Sequence, residues 1–224
     1  MRSRAARIGF VVALGAAAGV TFLTNDSALA LLLAAAALLA GAAAWLDGGP
    51  QSAKEVTVIA TLAAAAAAGR VLLAPIPDVQ PVTVIVVATG VALGARAGIG
   101  VGAGAAFVSN FFLGQGLWTP WQMLAWAGCG AVGALGAPLL RRRIPFAVVA
   151  CLLGFAFGFV LDTWNWYGFY PHTWQAFVAR QAAGFPFDVA HASGNLALAL
   201  VAGPELRRLL ERYGRRLRTE IVWV

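Results

Sequence analysis

The chain has 224 residues, of which 61% are hydrophobic and only 11% are charged, and its formal net charge is +7. This composition excludes an ordinary soluble domain, because nearly every long segment is too apolar to face water. It also argues against a nucleic-acid-binding protein, since the basic residues lie at the ends of apolar segments and form no basic domain.

Eight apolar segments of near membrane-spanning length follow one another along the chain. They cover residues 8–23, 28–46, 56–74, 80–94, 97–113, 121–139, 145–162 and 186–203. In lipid each is expected to be a helix, because a helix satisfies its own backbone hydrogen bonds. The predicted fold class is therefore an all-α integral membrane protein.

A linker at residues 47–55 divides these spans unequally. The two spans before it hold hardly any polar residues, whereas the six spans after it hold nearly all of the unusual ones. We therefore expect three parts: two accessory transmembrane helices in residues 1–53, a six-helix substrate-binding core in residues 54–204, and a basic cytoplasmic tail in residues 205–224.

The basic residues predict the orientation of the chain. Under strict alternation of the spans, all but Arg70 and Arg180 among the 16 basic residues fall on one side. Loops rich in Lys and Arg stay in the cytoplasm. Both termini and the Arg141–Arg143 loop are thus predicted to be cytoplasmic, in a multi-pass protein of the inner membrane.

The outer ends of the last six spans combine aromatic rings with polar groups. Tryptophans at this depth also form interfacial belts, but the stretches 115–122 and 162–175 add amides and a carboxylate, which favour a ligand pocket. The predicted substrate-binding residues are Arg70, Asp78, Gln80, Asn110, Gln115, Trp118, Trp121, Gln122, Asp162, Trp164, His191 and Asn195.

Two of these residues have a second interpretation. A charged side chain inside a span faces a cavity, pairs with an acid or snorkels to the interface, and Asp78 is a candidate partner for Arg70. The Asn110 amide needs partners for both of its polar atoms, which a ligand or a neighbouring helix can supply.

Asp188, His191 and Asn195 lie at helical spacing on one face of the last span. One carboxylate and one imidazole are an incomplete set of metal ligands. The favoured interpretation is a helix that begins near Asp188 after Pro186, with His191 forming hydrogen bonds on that face. No metal site and no cofactor are predicted.

Two stripes of small residues predict close helix packing. Ala60, Ala64 and Ala68 recur every four residues in the third span, where they fit either a partner subunit or internal packing. The fifth span repeats this spacing with Gly98, Gly102 and with Gly100, Gly104, which we expect to pack within the chain.

Several catalytic motifs are missing from the sequence. It contains no glycine-rich phosphate loop ending in Gly-Lys-Ser/Thr, no nucleophile elbow and no His-Glu-x-x-His motif. We therefore predict no catalytic residues, and energy for any transport must come from a partner or an ion gradient.

From about Lys54 to Arg218 the chain resembles a substrate-specific component, or S component, of the energy-coupling-factor transporters, in the group predicted to handle cobalamin or related corrinoids. The stretches that carry the resemblance are Ile76–Thr83 (IPDVQPVT), Ser109–Met123 (SNFFLGQGLWTPWQM) and Phe185–Asn195 (FPFDVAHASGN).

The resemblance implies a six-helix bundle that captures a vitamin-like ligand, a corrinoid first, and docks on a membrane coupling subunit driven by two ATPases. It assigns the Ala60, Ala64 and Ala68 stripe to docking, while the two extra N-terminal spans depart from the family pattern.

The residues themselves leave two alternatives open. One is a membrane enzyme that acts on a lipid through Asp162, Asp188 and His191. The other is an assembly subunit that needs only the faces of small residues.

Overall fold

The computed structural model describes residues 53–218, and it is helical over almost all of that length. The predicted spans 8–23 and 28–46 lie outside the described residues. The helices are α1 (Ala53–Leu72), α2 (Val82–Leu93), α3 (Ala95–Leu113), α4 (Thr119–Leu135), α5 (Ala137–Leu140), α6 (Arg143–Phe169), α7 (Trp174–Val201) and α8 (Gly203–Arg218).

Three of these helices, α1, α3 and α6, are long and apolar enough to cross a membrane. Helix α2 is equally apolar but has only 12 residues. These helices identify a helical membrane protein. The predicted span at 121–139 is divided in the structure, because Gly136 ends α4 and α5 follows as a separate turn.

Helices α2, α3 and α4 meet at a cluster of glycines. A Cβ atom at Gly130 would overlap the backbone of Gly98, and one at Gly90 would overlap the Gly130 carbonyl. Gly102 is packed in the same way against the backbone of Trp126. Backbones can approach this closely only where side chains are absent. The predicted packing role of Gly98 and Gly102 within the chain is confirmed.

Helix α1 packs on α3 through a different set of alanines from the predicted stripe. Ala63, Ala66 and Ala67 are buried, and a Cβ atom at Gly104 of α3 would lie 3.0 Å from the Ala63 side chain. Ala60, Ala64 and Ala68 are exposed on another face of α1. Internal packing among the described helices therefore does not explain the stripe.

Helices α6 and α7 form one long hairpin, with 27 and 28 residues respectively. At about 1.5 Å per residue each is about 40 Å long. Only residues 170–173 connect them, and Thr173 caps α7 by accepting a hydrogen bond from the Ala176 amide at 3.2 Å. The predicted spans 145–162 and 186–203 imply a long connection between them, rich in aromatic residues, and this prediction is wrong because helix covers most of it. A last helix that begins near Asp188 is also wrong.

The physical reason is that the polar residues of this stretch pair across the hairpin. Asp162 forms an ion pair with Arg180 at 2.7 Å, and the Arg180 Nε donates to Asn165 at 2.7 Å. Pro186 lies inside α7, where it removes one backbone donor without ending the helix.

Candidate functional site

The guanidinium of Arg70 is buried near the end of α1, with only 6% of the residue exposed. Its Nε donates to Gln80 Oε1 at 3.0 Å, and its Nη1 donates to Ser109 Oγ at 2.7 Å and to Asn110 Oδ1 at 2.6 Å. Arg70 therefore points into the protein and does not snorkel. It ties α1 to α3 and to the loop before α2.

Asn110 extends this set of hydrogen bonds from α3 to α4. Its Nδ2 donates to Thr119 Oγ1 at 2.9 Å and to Gln122 Oε1 at 2.8 Å, and the Thr119 hydroxyl donates to Gln115 Oε1 at 2.9 Å. Both polar atoms of the buried amide are thus satisfied, in part by a neighbouring helix. These residues form the Arg70 cluster: Arg70, Gln80, Ser109, Asn110, Gln115, Thr119 and Gln122.

A second set of hydrogen bonds links Trp126 to the loop before α2. The Trp126 Nε1 donates to Thr83 Oγ1 at 3.1 Å, and Thr83 Oγ1 lies 3.4 Å from His191 Nε2. The other imidazole nitrogen, Nδ1, lies 2.8 Å from the Asp78 carbonyl. A carbonyl only accepts, so Nδ1 carries the proton and Nε2 accepts from Thr83.

The two sets meet at Trp126, because the Arg70 guanidinium carbon lies 4.9 Å from the centre of its ring. This is a cation–π contact in a buried setting, where such contacts are strongest.

Asp78 adopts a left-handed backbone conformation, with φ of 56°. Aspartate tolerates that conformation better than most residues, and here the Asp78 carbonyl meets His191.

The positive charge of Arg70 has no ion-pair partner among the described residues. The salt bridges within that part of the chain involve other arginines, and the side-chain acceptors that bind Arg70 are neutral. Asp78 interacts with it electrostatically without an ion pair, and burial raises the pKa of the Asp78 carboxyl above its ordinary value. The predicted Arg70–Asp78 pair does not form.

Asp162 is not part of the Arg70 cluster and lies inside the α6–α7 hairpin. Its ion pair with Arg180 uses Oδ1, while Oδ2 is buried without a hydrogen-bond partner and packs against Gly184. Asp188 packs against Gly158 in a similar way from the opposite helix. Glycine at both positions leaves room for a carboxylate between the helices.

Asn195 is fully buried one turn below His191, and neither of its amide atoms has a hydrogen-bond partner in the described structure. It faces Gly154 of α6, where an added Cβ atom would lie 2.9 Å from its Nδ2. A buried amide without partners is unfavourable by about 1–3 kcal/mol.

The three tryptophans among the predicted site residues differ in how far they are buried. Trp118 is 39% exposed and packs over Gly116, Trp121 is half-buried, and Trp164 is buried with its ring edge-to-face on Phe169. Trp118 and Trp121 lie within two residues of Thr119, a member of the Arg70 cluster. Trp164 instead packs within α6, and its Nε1 lacks a hydrogen-bond partner among the described residues.

A model of a family of unknown function (DUF6580) matches residues 50–207. This is more than half of the chain and runs from just before α1 into α8. The chain belongs to this family. The DUF6580 region contains the whole Arg70 cluster and the α6–α7 hairpin. No curated protein and no solved structure matches the chain.

Within the DUF6580 region, the structure adds four residues that were not among the predicted site residues: Thr83, Ser109, Thr119 and Trp126. Three are small hydroxyl residues, which often bond to their own helix and give little signal in a sequence. Trp126 lies in an apolar run that resembles ordinary core. The sequence signal for this region came from the charged, amide and tryptophan residues around them, such as Arg70, Asn110 and Gln122.

Proposed function

We propose that this chain is the substrate-binding membrane subunit of an ATP-driven importer of the energy-coupling-factor type, with a vitamin-like ligand, first of all a corrinoid. The observation that carries the proposal is the buried guanidinium of Arg70, which is held by neutral side chains. An ionisable residue inside a membrane bundle marks a functional site by default. An anionic or strongly polar group of the ligand is its natural partner.

The α6–α7 hairpin extends past the level of the Arg70 cluster. From His191 to Trp174, α7 rises about 25 Å at about 1.5 Å per residue, so we infer that the hairpin turn lies well beyond the loop that contacts His191. The ligand is expected to enter between the hairpin and the loops 73–81 and 114–118. Trp118 supplies a ring at this entrance, and the Arg70 cluster fixes a polar edge of the ligand.

One neighbouring feature supports a binding site better than a catalytic one. Both nitrogens of His191 are engaged within the chain, by Thr83 and by the Asp78 carbonyl. An imidazole in this state holds the loop before α2 and is not available to exchange a proton with a lipid. On this ground we propose that the chain binds its ligand without catalysis.

Trp118→Ala is expected to lower the affinity for a corrinoid about thirtyfold, because a lost aromatic anchor costs about 2 kcal/mol. Trp174→Ala is the control, since this ring is 71% exposed beside the hairpin turn and is expected to change affinity little. Affinity is measured by titrating the purified full chain with cobalamin. Equal affinities for wild type and Trp118→Ala would remove Trp118 from the site.

The proposal also places a coupling subunit on the exposed stripe of α1. Bulk at Ala64 would separate helices that must nearly touch, so Ala64→Trp is expected to abolish uptake in cells that contain the coupling subunit and its two ATPases. Ligand binding by the isolated chain should survive. Ala65→Trp, at the neighbouring exposed position outside the stripe, is the control. Unchanged uptake in Ala64→Trp would refute docking on this face.

In this proposal the protein lies in the inner membrane with both termini in the cytoplasm, so the Arg70 cluster opens outward and the Arg141–Arg143 loop lies inside. ATP hydrolysis takes place in the partner subunits.

A further inference from the structure

A cavity of about 350 Å³ lies at the opposite end of the helices from the Arg70 cluster. It is open on one side and is lined by α5, the beginning of α6, the end of α7 and the beginning of α8. Five arginines line it: Arg141, Arg142, Arg143, Arg207 and Arg208. Glu205 is the single acidic residue in the lining.

These arginines are only partly neutralised by the protein. Arg208 pairs with Glu205 at 2.7 Å, whereas Arg141 and Arg207 share one carboxylate oxygen of Glu211 at 3.6 and 3.7 Å. The guanidinium group of Arg142 forms no hydrogen bond or ion pair with any described residue, although its backbone amide and carbonyl bond to Leu139 and Phe146. The cavity therefore keeps an excess of positive charge, together with guanidinium groups that are free to bind an anion.

Arg143 fixes the shape of the entrance. Its Nε donates to the Leu200 carbonyl at 3.0 Å and so holds the beginning of α6 to the end of α7. The other guanidinium donors of Arg143 are not used by this bond. Guanidinium groups bind phosphate oxygens in pairs of parallel hydrogen bonds, which makes arginine well suited to phosphate.

Apart from the arginines and Glu205, the lining is uncharged and mainly apolar, and it continues onto the outer surface of the helices. Leu140, Phe146 and Val201 form part of the wall, and Val201 is 78% exposed. Ile144 and Val148, on the first turns of α6, are also exposed. A small soluble anion would make no contact with this apolar surface, whereas the acyl chains of a lipid would cover it.

We propose that this cavity binds the phosphate-bearing headgroup of an anionic phospholipid, with the acyl chains lying along the beginning of α6. Basic pockets between membrane helices on the cytoplasmic side are suited to such headgroups, and the arginine-rich loops are predicted to be on that side. The inference is independent of the proposed transport function, because it uses other residues at the other end of the helices.

The test is a lipid titration of the purified full chain in nonionic detergent, with bound lipid counted by native mass spectrometry. Phosphatidylglycerol is expected to bind, and zwitterionic phosphatidylcholine is not. Arg142→Gln should lower the affinity for phosphatidylglycerol about tenfold, since a charge-assisted hydrogen bond is lost. Arg212→Gln removes the same charge from α8 outside the cavity, and it should leave affinity unchanged.

Three results would overturn the proposal: equal loss in Arg142→Gln and Arg212→Gln, equal binding of the two lipids, or displacement of phosphatidylglycerol by inorganic phosphate at the same concentration. The last result would indicate a site for a free anion. If Arg142→Gln is not monodisperse on size-exclusion chromatography, Arg208→Gln tests the same expectation. Arg142→Lys keeps the charge but not the forked guanidinium, so its affinity for phosphatidylglycerol is expected to lie between those of the wild type and Arg142→Gln.

Discussion

Replacing Arg70 with methionine is expected to destabilise the protein by about 3 kcal/mol or more. The apolar side chain fills similar space, but it leaves the oxygens of half-buried Gln80 and buried Asn110 without their donor, and each loss costs about 1–3 kcal/mol. The cation–π contact with Trp126 is lost as well. The free energy of unfolding, measured in mixed micelles, checks this expectation.

Arg70→Lys separates the charge of Arg70 from its geometry. Lysine keeps the positive charge, but a single ammonium group cannot reproduce the forked contacts to Gln80, Ser109 and Asn110. We expect weaker ligand binding in a protein that still folds.

For the stability of Arg70→Met, the control is Arg212→Met, at an exposed position of α8. An Arg70→Met protein as stable as this control would contradict a buried, structural role for the guanidinium.

Gly130→Ala is expected to cost about 2 kcal/mol or more, because the added methyl group would overlap the backbone of Gly98, which cannot rotate away. Separation of α3 and α4 should also stretch the hydrogen bonds from Asn110 to Thr119 and Gln122, which join the same two helices. Ligand affinity is therefore expected to fall together with stability.

The matched control for Gly130 lies two residues earlier in α4. A Cβ atom at Gly128 would have nothing within 4 Å, so Gly128→Ala is expected to be neutral or to stabilise the helix by up to about 1 kcal/mol. Thermal unfolding of both variants in the same detergent measures the difference. If the two substitutions had equal effects, the glycine contact between α3 and α4 would not be as close as the structure shows.

The sequence predicts the parts of this fold that depend on local pattern. Long apolar segments locate α1, α3 and the first part of α6, and the glycine spacing around Gly98 and Gly102 predicts a close contact within the chain. Such features need only composition and helical spacing. The partner helix does not follow from them, because the contact with Gly130 joins residues 32 positions apart along the chain.

The α6–α7 hairpin shows why the remainder was harder to predict. The stretch from Asp162 to Pro186 contains charges, amides and a proline, which together are typical of a loop. In the structure its polar groups satisfy one another across the hairpin, as in the pairs Asp162–Arg180 and Gln181–Thr163. Those pairs exist only once the two helices have met, so neither half of the stretch indicates them alone.

The candidate site was predicted in the same partial way. Arg70, Asn110 and Gln122 were identified one by one, as polar groups that are costly in a membrane. Their mutual hydrogen bonds join residues 40 and 12 positions apart. Asp162 and Trp164 were assigned to the same pocket because they were placed at the beginning of a loop. In the structure Asp162 pairs with Arg180 across the hairpin, and Trp164 packs on Phe169 of its own helix α6.

Binding of a vitamin-like solute by the Arg70 cluster can be tested by calorimetric titration of the purified full chain with a panel of vitamins, corrinoids first. We expect one member of the panel to bind saturably, with one ligand per chain, and we expect Arg70→Lys to weaken this binding strongly while Arg212→Lys leaves it unchanged. If no vitamin bound to the folded protein, or if the ligand bound equally well to Arg70→Lys, the Arg70 cluster would not be the proposed binding site.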